Sequence, residues 1–204
     1  KPLLHHTLQV FSVCEVIDYV VLVMPQADVD ESGDEWLHGY DVVRKVVAGG
    51  PQRQDSVYNG FQALEESTEI AVVHDGVRPF TTAEMIKETV EAAAQHGAAI
   101  TAIPVSDTVK QVVEGFVERT VPREGLWRVQ TPQAFQCGLL QKAFAKARED
   151  SYYGTDEGGL VEYLGKQVKI VSGSELNIKI TRKEDLILGE SLLCLGSQSR
   201  KRGR

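Results

Sequence analysis

The sequence predicts a three-layer α/β fold with a mostly parallel sheet. Short runs of apolar, largely β-branched residues, such as residues 19–24 and Ile70–Val73, recur along the chain. Segments with apolar residues at helical spacing separate these runs. Continuous apolar runs of this kind suit parallel strands that are covered on both faces. A chain of 204 residues, 42% of them hydrophobic, can enclose one core, so we expect a single domain over residues 1–192.

The first half of the chain alternates between the two kinds of segment. A short amphipathic helix opens it, and residues 19–24 predict a central strand that ends before Pro25. After a polar stretch, valines at positions 42, 43, 46 and 47 predict a strand that ends at the turn Gly49-Gly50-Pro51. A helix with Val57, Phe61 and Leu64 on one face then precedes the strand at residues 70–73.

A helix, a strand and a hairpin follow. Thr81 and Glu84 form a capping-box pattern that predicts a helix ending at Gly97, and residues 98–105 are again strand-like. Two β-rich pieces, residues 108–113 and 116–121, flank Glu114-Gly115 and predict a hairpin. We expect this hairpin to form a β-arm over residues 106–127 that leaves the main sheet.

Apolar residues again recur at helical spacing in the last third of the chain. Two helices around Leu140 and Val161 precede a strand at residues 168–171, and Thr181 with Glu184 predicts the start of a last helix. Residues 193–204 form a basic tail without apolar periodicity, for which we expect disorder. No internal repeat or linker divides the chain.

Charge and cysteine content restrict the function classes. The net charge of -7 and the pI near 5.3 argue against a broad nucleic-acid or membrane-binding face. Three widely spaced cysteines suit reduced thiols better than disulfides or a zinc site. No run approaches a membrane span and no leader pattern opens the chain, so we expect a cytoplasmic protein. Phosphate chemistry would therefore depend on a few placed cations.

The residues just after the predicted strands are the candidates for chemistry, because ligands of such sheets bind beyond the carboxyl ends of the strands. Asp75 and Arg78 follow one strand and could hold hydroxyl groups and phosphate, although a structural ion pair would look the same in sequence. Arg123 in the arm and Lys179 after the last strand could equally be solvated surface charges. Single threonines at turns are weak signals, since threonine is common there for local reasons: Thr108, Thr131 and Thr155.

Other motif classes find no support in the sequence. The histidines have no zinc-helix spacing, so we expect no metal held by protein side chains alone. There is no GxSxG elbow, catalytic Cys/His arrangement or GxGxxG run. Phosphate handling by scattered cations is the chemistry that remains.

An ordered set of short motifs is similar to the 2-C-methyl-D-erythritol 4-phosphate cytidylyltransferase family, whose fold is of the nucleotidyltransferase (Rossmann-like) type. The similarity extends from Lys1 to about Leu192. Its segments are Gly49-Gly50 with Arg53 and Asp55-Ser56-Val57, His74-Asp75-Gly76-Val77-Arg78-Pro79, Asp107-Thr108-Val109-Lys110, Gly125-Leu126-Trp127, Gln130-Thr131-Pro132-Gln133, Gly154-Thr155-Asp156-Glu157 and Asn177-Ile178-Lys179.

The resemblance implies a reaction and a set of site residues. The family transfers a cytidylyl group from CTP to a methylerythritol phosphate and releases magnesium-bound pyrophosphate, in non-mevalonate isoprenoid precursor synthesis. By motif, the nucleotide side would comprise Gly49, Gly50, Ser56, Asp75 and Gly76. The substrate side would comprise Asp75, Arg78, Thr108, Arg123, Thr131, Thr155 and Lys179, of which Arg123 and Lys179 would be catalytic. Magnesium would bind mainly through the CTP phosphates.

The resemblance also implies a homodimer, in which the β-arm brings Thr108 and Arg123 to the partner subunit's site. Two departures from the family pattern affect these expectations. The family's first strand and glycine-rich loop, with its arginine and lysine, precede the position matched by Lys1, and Pro51 stands where an acidic residue is common. The alternatives are a pentitol phosphate cytidylyltransferase of the same fold and a non-catalytic dimeric module.

Overall fold

The structure, a computed structural model, describes residues 2–202, with side chains for residues 2–194. It has the α/β architecture that the sequence predicts. In chain order its elements are α1 (Leu3–Ser12), β1 (Val20–Met24), α2 (Gln26–Gly39), β2 (Val43–Ala48), α3 (Arg53–Gln62), β3 (Ile70–Val73), α4 (Ala83–His96), β4 (Ala98–Pro104), β5 (Val109–Val113), β6 (Phe116–Val121), β7 (Trp127–Gln136), α5 (Cys137–Glu149), α6 (Glu157–Tyr163), β8 (Lys169–Ser172) and α7 (Lys183–Arg202).

The main sheet has four strands in the order β3-β7-β4-β8. Strand β7 runs antiparallel to both of its neighbours, and β8 runs parallel to β4. Strands β3, β4 and β8 therefore point in one direction, and their carboxyl ends lie at the same edge. Strands β1 and β2 form a separate parallel pair, and β5 with β6 form an antiparallel hairpin.

Helices cover both faces of the main sheet, which gives the three layers. On one face, Ile100 of β4 and Phe135 of β7 pack against Leu140 and Phe144 of α5 and Leu160 of α6. On the other face, alternate residues of the same strands pack against α4: Ala99 and Ala134 contact Ala93. This alternation follows from the two-residue period of a strand, and it explains why the strands read as continuous apolar runs.

The hairpin β5–β6 confirms the predicted arm. Glu114 and Gly115 both have positive φ angles, 49° and 84°, as a two-residue hairpin turn requires. The arm leaves four large apolar side chains between 51% and 80% exposed: Val112, Val113, Phe116 and Val117. It therefore offers an apolar surface that no described residue covers.

Two elements were not predicted. The polar stretch after Pro25 is helix α2, whose residues are nowhere fully buried and therefore give a weak periodic signal. Strand β7 carries buried Gln130 and Gln133 and contains Pro132, so its pattern did not resemble a strand. Because β7 joins β3 to β4, it is the strand that completes the main sheet.

Two predicted helix caps differ from those observed. The side chain that caps α4 is Thr82, which accepts a hydrogen bond from the Met85 amide, whereas the predicted Thr81 is buried. At α7, Asp185 accepts hydrogen bonds from the amides of Thr181 and Arg182 and replaces the predicted Glu184. Helix α7 extends to Arg202, while the side chains of residues 195–204 lie outside the described part, so the disorder proposed for the tail stays a prediction.

A groove of about 1410 Å³ separates the pair β1–β2 from the main sheet. Its walls include both strands that face each other across it, β1 and β3, and the helical residues Phe11, Phe61 and Leu140. Its rim is formed by the turns after β2 and β3. Within the described residues, no helix is long and apolar enough to cross a membrane.

Candidate active site

The turns after β2 and β3 bring the candidates for the nucleotide side to one end of the groove. Gly49 and Gly50 follow β2, and Asp75 and Gly76 follow β3. These residues, with Ser56 of α3, all line the groove. The structure thus places the whole predicted nucleotide side on one surface, beyond the carboxyl ends of two strands.

Asp75 is the electrostatic centre of this end. Its Oδ2 atom accepts from Nε of Arg78 at 3.1 Å and lies 3.2 Å from Nζ of Lys179. Burial raises the pKa of Asp75, but the charge of Lys179 and the hydrogen bonds from Arg78 and Lys179 together lower it below its usual range. Asp75 is therefore ionised at neutral pH, and two cations surround one carboxylate.

Two hydrogen bonds, one from Nε and one from NH1, fix the guanidinium of Arg78. Besides contacting Asp75, it donates from NH1 to the backbone carbonyl of Asn177 at 2.8 Å. Asn177 is fully buried and donates from Nδ2 to the Thr131 carbonyl at 2.9 Å and to Oε1 of Gln130 at 3.2 Å. The loop before α7 is thereby joined to β7 and to the turn after β3. Lys179, two residues further on, has a side chain that is 41% exposed and free to reach solvent.

Asn177 had no assigned role in the sequence, although it lies in the motif that includes Lys179. A buried amide with backbone partners leaves no periodic signal, so only the motif could have indicated it. Its Oδ1 atom is buried without a hydrogen-bond partner in the described structure. Through its backbone carbonyl, which accepts from Arg78, Asn177 orients the guanidinium.

His74 and Thr131 form a second set of contacts beneath Asp75. Nε2 of His74 lies 3.1 Å from the Arg78 carbonyl, which can only accept, so Nε2 carries the proton. In the neutral ring Nδ1 is then an acceptor, and Thr131 donates its hydroxyl hydrogen to it across 3.0 Å. The Thr131 oxygen in turn accepts from the Asp75 amide at 3.1 Å. These bonds fix the turn from His74 to Arg78.

This arrangement uses the only hydrogen of the Thr131 hydroxyl. Thr131 is 4% exposed, and a contact with a substrate phosphate would require the bond to His74 to be exchanged. Burial, with the nearby charge of Arg78, lowers the pKa of His74 to about 4, although the Arg78 carbonyl and Asp75 oppose this shift. The ring is therefore neutral at physiological pH, as the hydrogen-bond pattern requires.

The turn after β2 is tightly closed. The Gly50 amide donates to Oγ of Ser56 at 3.0 Å, and the Ser56 hydroxyl donates to the Gln52 carbonyl at 3.1 Å. A Cβ atom added at Gly50 would lie 2.4 Å from Cβ of Asp55, so only glycine fits. Backbone groups at this turn can approach a ligand closely, whereas Pro51 contributes no amide hydrogen.

Three predicted residues lie apart from this cluster. Thr108, Arg123 and Thr155 are exposed, and Arg123 donates to the carbonyl of Ser106 at the base of the arm. Among the described residues, no hydrogen bond or ion pair joins these three side chains to Asp75, Arg78 or Lys179. One subunit therefore assembles the strand-end cluster but leaves the arm residues separate.

Protein ligands for a metal are not grouped here. In the part of the chain with described side chains, no three histidine, cysteine, aspartate or glutamate residues are close enough to hold an ion. Asp75 is already engaged by two cations. The described side chains therefore do not form a protein-only magnesium site.

Comparison with known sequences identifies close relatives. Residues 1–194 match the family model described as 2-C-methyl-D-erythritol 4-phosphate cytidylyltransferase. A protein of that name from Syntrophus aciditrophicus is 46% identical over 195 residues, which cover 94% of this chain and 83% of the relative. Another, from Geobacillus thermodenitrificans, is 46% identical over 196 residues, covering 95% and 85%.

Solved structures agree with this result. The 4-diphosphocytidyl-2C-methyl-D-erythritol synthase of Anaerococcus prevotii superposes with a TM-score of 0.86 at 35% identity, covering 95% of this chain and 86% of that one. The 2-C-methyl-D-erythritol 4-phosphate cytidylyltransferase of Thermus thermophilus gives 0.82 at 34% identity, covering 95% and 89%. The similarity of fold therefore extends over 95% of this chain.

The neutral His74 ring predicts a pH dependence of stability. Its pKa is lower in the folded chain than the ordinary value of about 6.5, so the unfolded chain binds more protons between about pH 6.5 and 4. The free energy of unfolding should therefore fall as the pH drops through this window, by at most about 3 kcal/mol from this group. Urea denaturation of the wild type and of His74→Gln across this range measures it.

The His74→Gln variant should lack this component, so the two stability curves should converge towards pH 4. Imidazole chemical shifts provide a direct control, since the His74 signal is identified by its loss in the variant. A His74 ring that becomes protonated near pH 6.5 would contradict the assignment of a neutral ring.

Proposed function

The chain belongs to the 2-C-methyl-D-erythritol 4-phosphate cytidylyltransferase family, and we propose that the cluster around Asp75 is the place where its reaction occurs. The reaction of the family is the transfer of a cytidylyl group from CTP to 2-C-methyl-D-erythritol 4-phosphate. An oxygen of the substrate phosphate bonds to the α-phosphorus of CTP, and the bond from that phosphorus to the pyrophosphate oxygen breaks. The enzyme class is therefore cytidylyltransferase.

The observation that supports this site is the pair of cations held by one carboxylate. Arg78 and Lys179 carry two positive charges around the single negative charge of Asp75. The surplus positive charge is available to phosphate oxygens, and Lys179 is exposed enough to reach them. Phosphoryl-group transfer needs positioning and charge stabilisation more than covalent catalysis, and fixed cations supply both.

Each residue then has a proposed role. Asp75 holds the two cations and accepts from hydroxyl groups of the substrate polyol, while Arg78 binds the substrate phosphate. Lys179 neutralises negative charge on the reacting phosphates. His74 and Thr131 keep the turn in place from below. Thr155, exposed after Gly154, completes the proposed substrate side.

The nucleotide is proposed to bind over the turn after β2. Gly49 and Gly50 leave the backbone accessible, and Ser56 fixes the direction of the Gly50 amide. The same groove end carries Asp75 and Gly76, so the ribose and the base would lie between the two turns. Magnesium is proposed to arrive with the triphosphate oxygens, because the described side chains do not form a site for it. We place this chemistry in the cytoplasm.

The exposed arm is proposed to join two subunits. Its apolar residues, with Phe116 80% exposed, would be buried against a second copy of the chain. Thr108 and Arg123 lie at the base of the arm and have no bond to their own Asp75 cluster in the described structure. We propose that they complete the site of the partner.

Replacement of Lys179 tests the site. Lys179→Ala should reduce kcat for pyrophosphate release from CTP and 2-C-methyl-D-erythritol 4-phosphate by about a hundredfold or more, because charge stabilisation of the reacting phosphates is lost. The assay contains magnesium and a coupled pyrophosphate sensor. UTP, ATP and a pentitol phosphate serve as comparison substrates and should react more slowly.

Lys87→Ala is the matched control, since Lys87 is a similarly exposed lysine on α4 that pairs with Glu91. It should keep wild-type activity. If Lys179→Ala stayed within a few-fold of the wild type, Lys179 would be a solvated lysine. If the wild-type protein, with the family's first strand and glycine-rich loop in place, released no pyrophosphate, the proposed function itself would be refuted.

Mixing of two inactive variants tests the shared site. Arg123→Ala and Lys179→Ala dimers should each be inactive, but after subunit exchange about half of the dimers are mixed, and each mixed dimer has one intact site. Activity should therefore return to about a quarter of the wild-type value. Mixing with the double variant, which cannot form an intact site, is the control. No recovery after verified exchange would place Arg123 in its own subunit's site or outside the chemistry.

A further inference from the structure

The loop between α5 and α6 is held by the first turn of α3. Residues 152–156 of this loop include Thr155, on the proposed substrate side, and Glu157 follows as the first residue of α6. The turn of α3 follows Gly50, on the proposed nucleotide side. Three side chains, Arg53, Gln54 and Glu157, connect the two segments, and we call them the clamp.

Arg53 and Glu157 form a two-bond ion pair. NH1 and NH2 of Arg53 donate to Oε1 and Oε2 of Glu157, both at 2.8 Å. The Glu157 side chain is 1% exposed and that of Arg53 is 39% exposed. Burial raises the pKa of Glu157, while the contact with Arg53 opposes this shift. Such parallel donation fixes the angle between the groups as well as their distance.

Both the nitrogen and the oxygen of the Gln54 side-chain amide bond to the loop between α5 and α6. Its Nε2 donates to the Tyr152 carbonyl at 3.1 Å, and its Oε1 accepts from the Gly154 amide at 2.9 Å. Gln54 is 6% exposed. Four hydrogen bonds thus join two successive residues of α3 to positions on both sides of Thr155.

The loop is also held from below by β7. Gln133 donates to Oδ2 of Asp156 at 2.8 Å and accepts from the Gly158 amide at 3.3 Å. On the other side, Gly50 and Ser56 close the turn that precedes Arg53. Both segments are therefore internally rigid, and the clamp sets their position relative to one another.

We propose that Arg53, Gln54 and Glu157 are positioning residues that align the nucleotide and the polyol phosphate for transfer. The inference rests on the proposed function, because it needs Gly50 and Thr155 to contact different substrates. The clamp acts through the two segments, and buried Glu157 touches neither substrate. Reaction between two bound molecules depends on their relative placement, and a shift of about 1 Å can reduce the rate a hundredfold.

The test compares two conservative variants. Arg53→Lys keeps the charge but cannot donate two parallel bonds, and Glu157→Gln keeps the shape but loses the charge. Each should lower kcat by at least about tenfold when both substrates are saturating. The Kd of CTP alone, measured by calorimetry, should stay within about threefold of the wild type, because each half of the site remains intact.

Agreement between the two variants is the decisive result. If Arg53→Lys lost activity and Glu157→Gln did not, Arg53 would act by touching substrate, and the clamp would be refuted. Unchanged kcat in both variants would also refute it. If the wild-type protein, with the family's glycine-rich loop in place, released no pyrophosphate, the proposed function would be refuted and the inference would fall with it.

Three further variants keep the test independent of folding. Arg44→Lys and Glu65→Gln make the same chemical changes in an exposed ion pair of 2.9 Å, and both should leave kcat unchanged. Arg53→Met with Glu157→Met replaces the partly buried pair by apolar side chains, which often preserves stability. This double variant should have a Tm close to that of the wild type and the same loss of kcat; a folded double variant with wild-type kcat would overturn the proposal.

Discussion

The ionised carboxylate of Asp75 constrains the arrangement of the rest of the site. A buried charge is costly unless opposite charges and hydrogen bonds compensate for it, and here both are present. Arg78 and Lys179 approach the same oxygen, and Thr131 binds the amide of Asp75. The cations come from different parts of the chain, so the fold has to bring the turn after β3 and the loop before α7 together. The same contacts leave one surplus positive charge at the cluster, since two cations surround one carboxylate.

The secondary contacts explain why these groups keep their positions. Asn177 orients Arg78 through its carbonyl, and the neutral ring of His74 joins Arg78 to Thr131. On the other side of the groove end, Arg53, Gln54 and Glu157 connect the turn after β2 with the loop that carries Thr155. Most of the buried polar side chains around the site thus hold loops, while Lys179, Thr155 and Arg123 are exposed to solvent and ligands.

The sequence was most informative where burial is continuous or where turns demand special residues. The apolar runs of β1 and β3 and the Glu114-Gly115 turn could be recognised because each has a simple physical pattern. Strand β7 could not, since buried Gln130 and Gln133 interrupt its apolar pattern. The site as a list of residues came from motifs, whereas the roles of Asn177, His74 and Glu157 depend on contacts between distant segments. No local pattern encodes such contacts.

Activity of Asp75→Asn tests the central claim most directly, because this change removes the charge that holds both cations and preserves the size of the side chain. Pyrophosphate release from CTP and 2-C-methyl-D-erythritol 4-phosphate should fall by about a hundredfold or more in a folded variant. Asp41→Asn, at an exposed aspartate before β2, should match the wild type. An Asp75→Asn protein with wild-type turnover would show that the carboxylate does not organise the site.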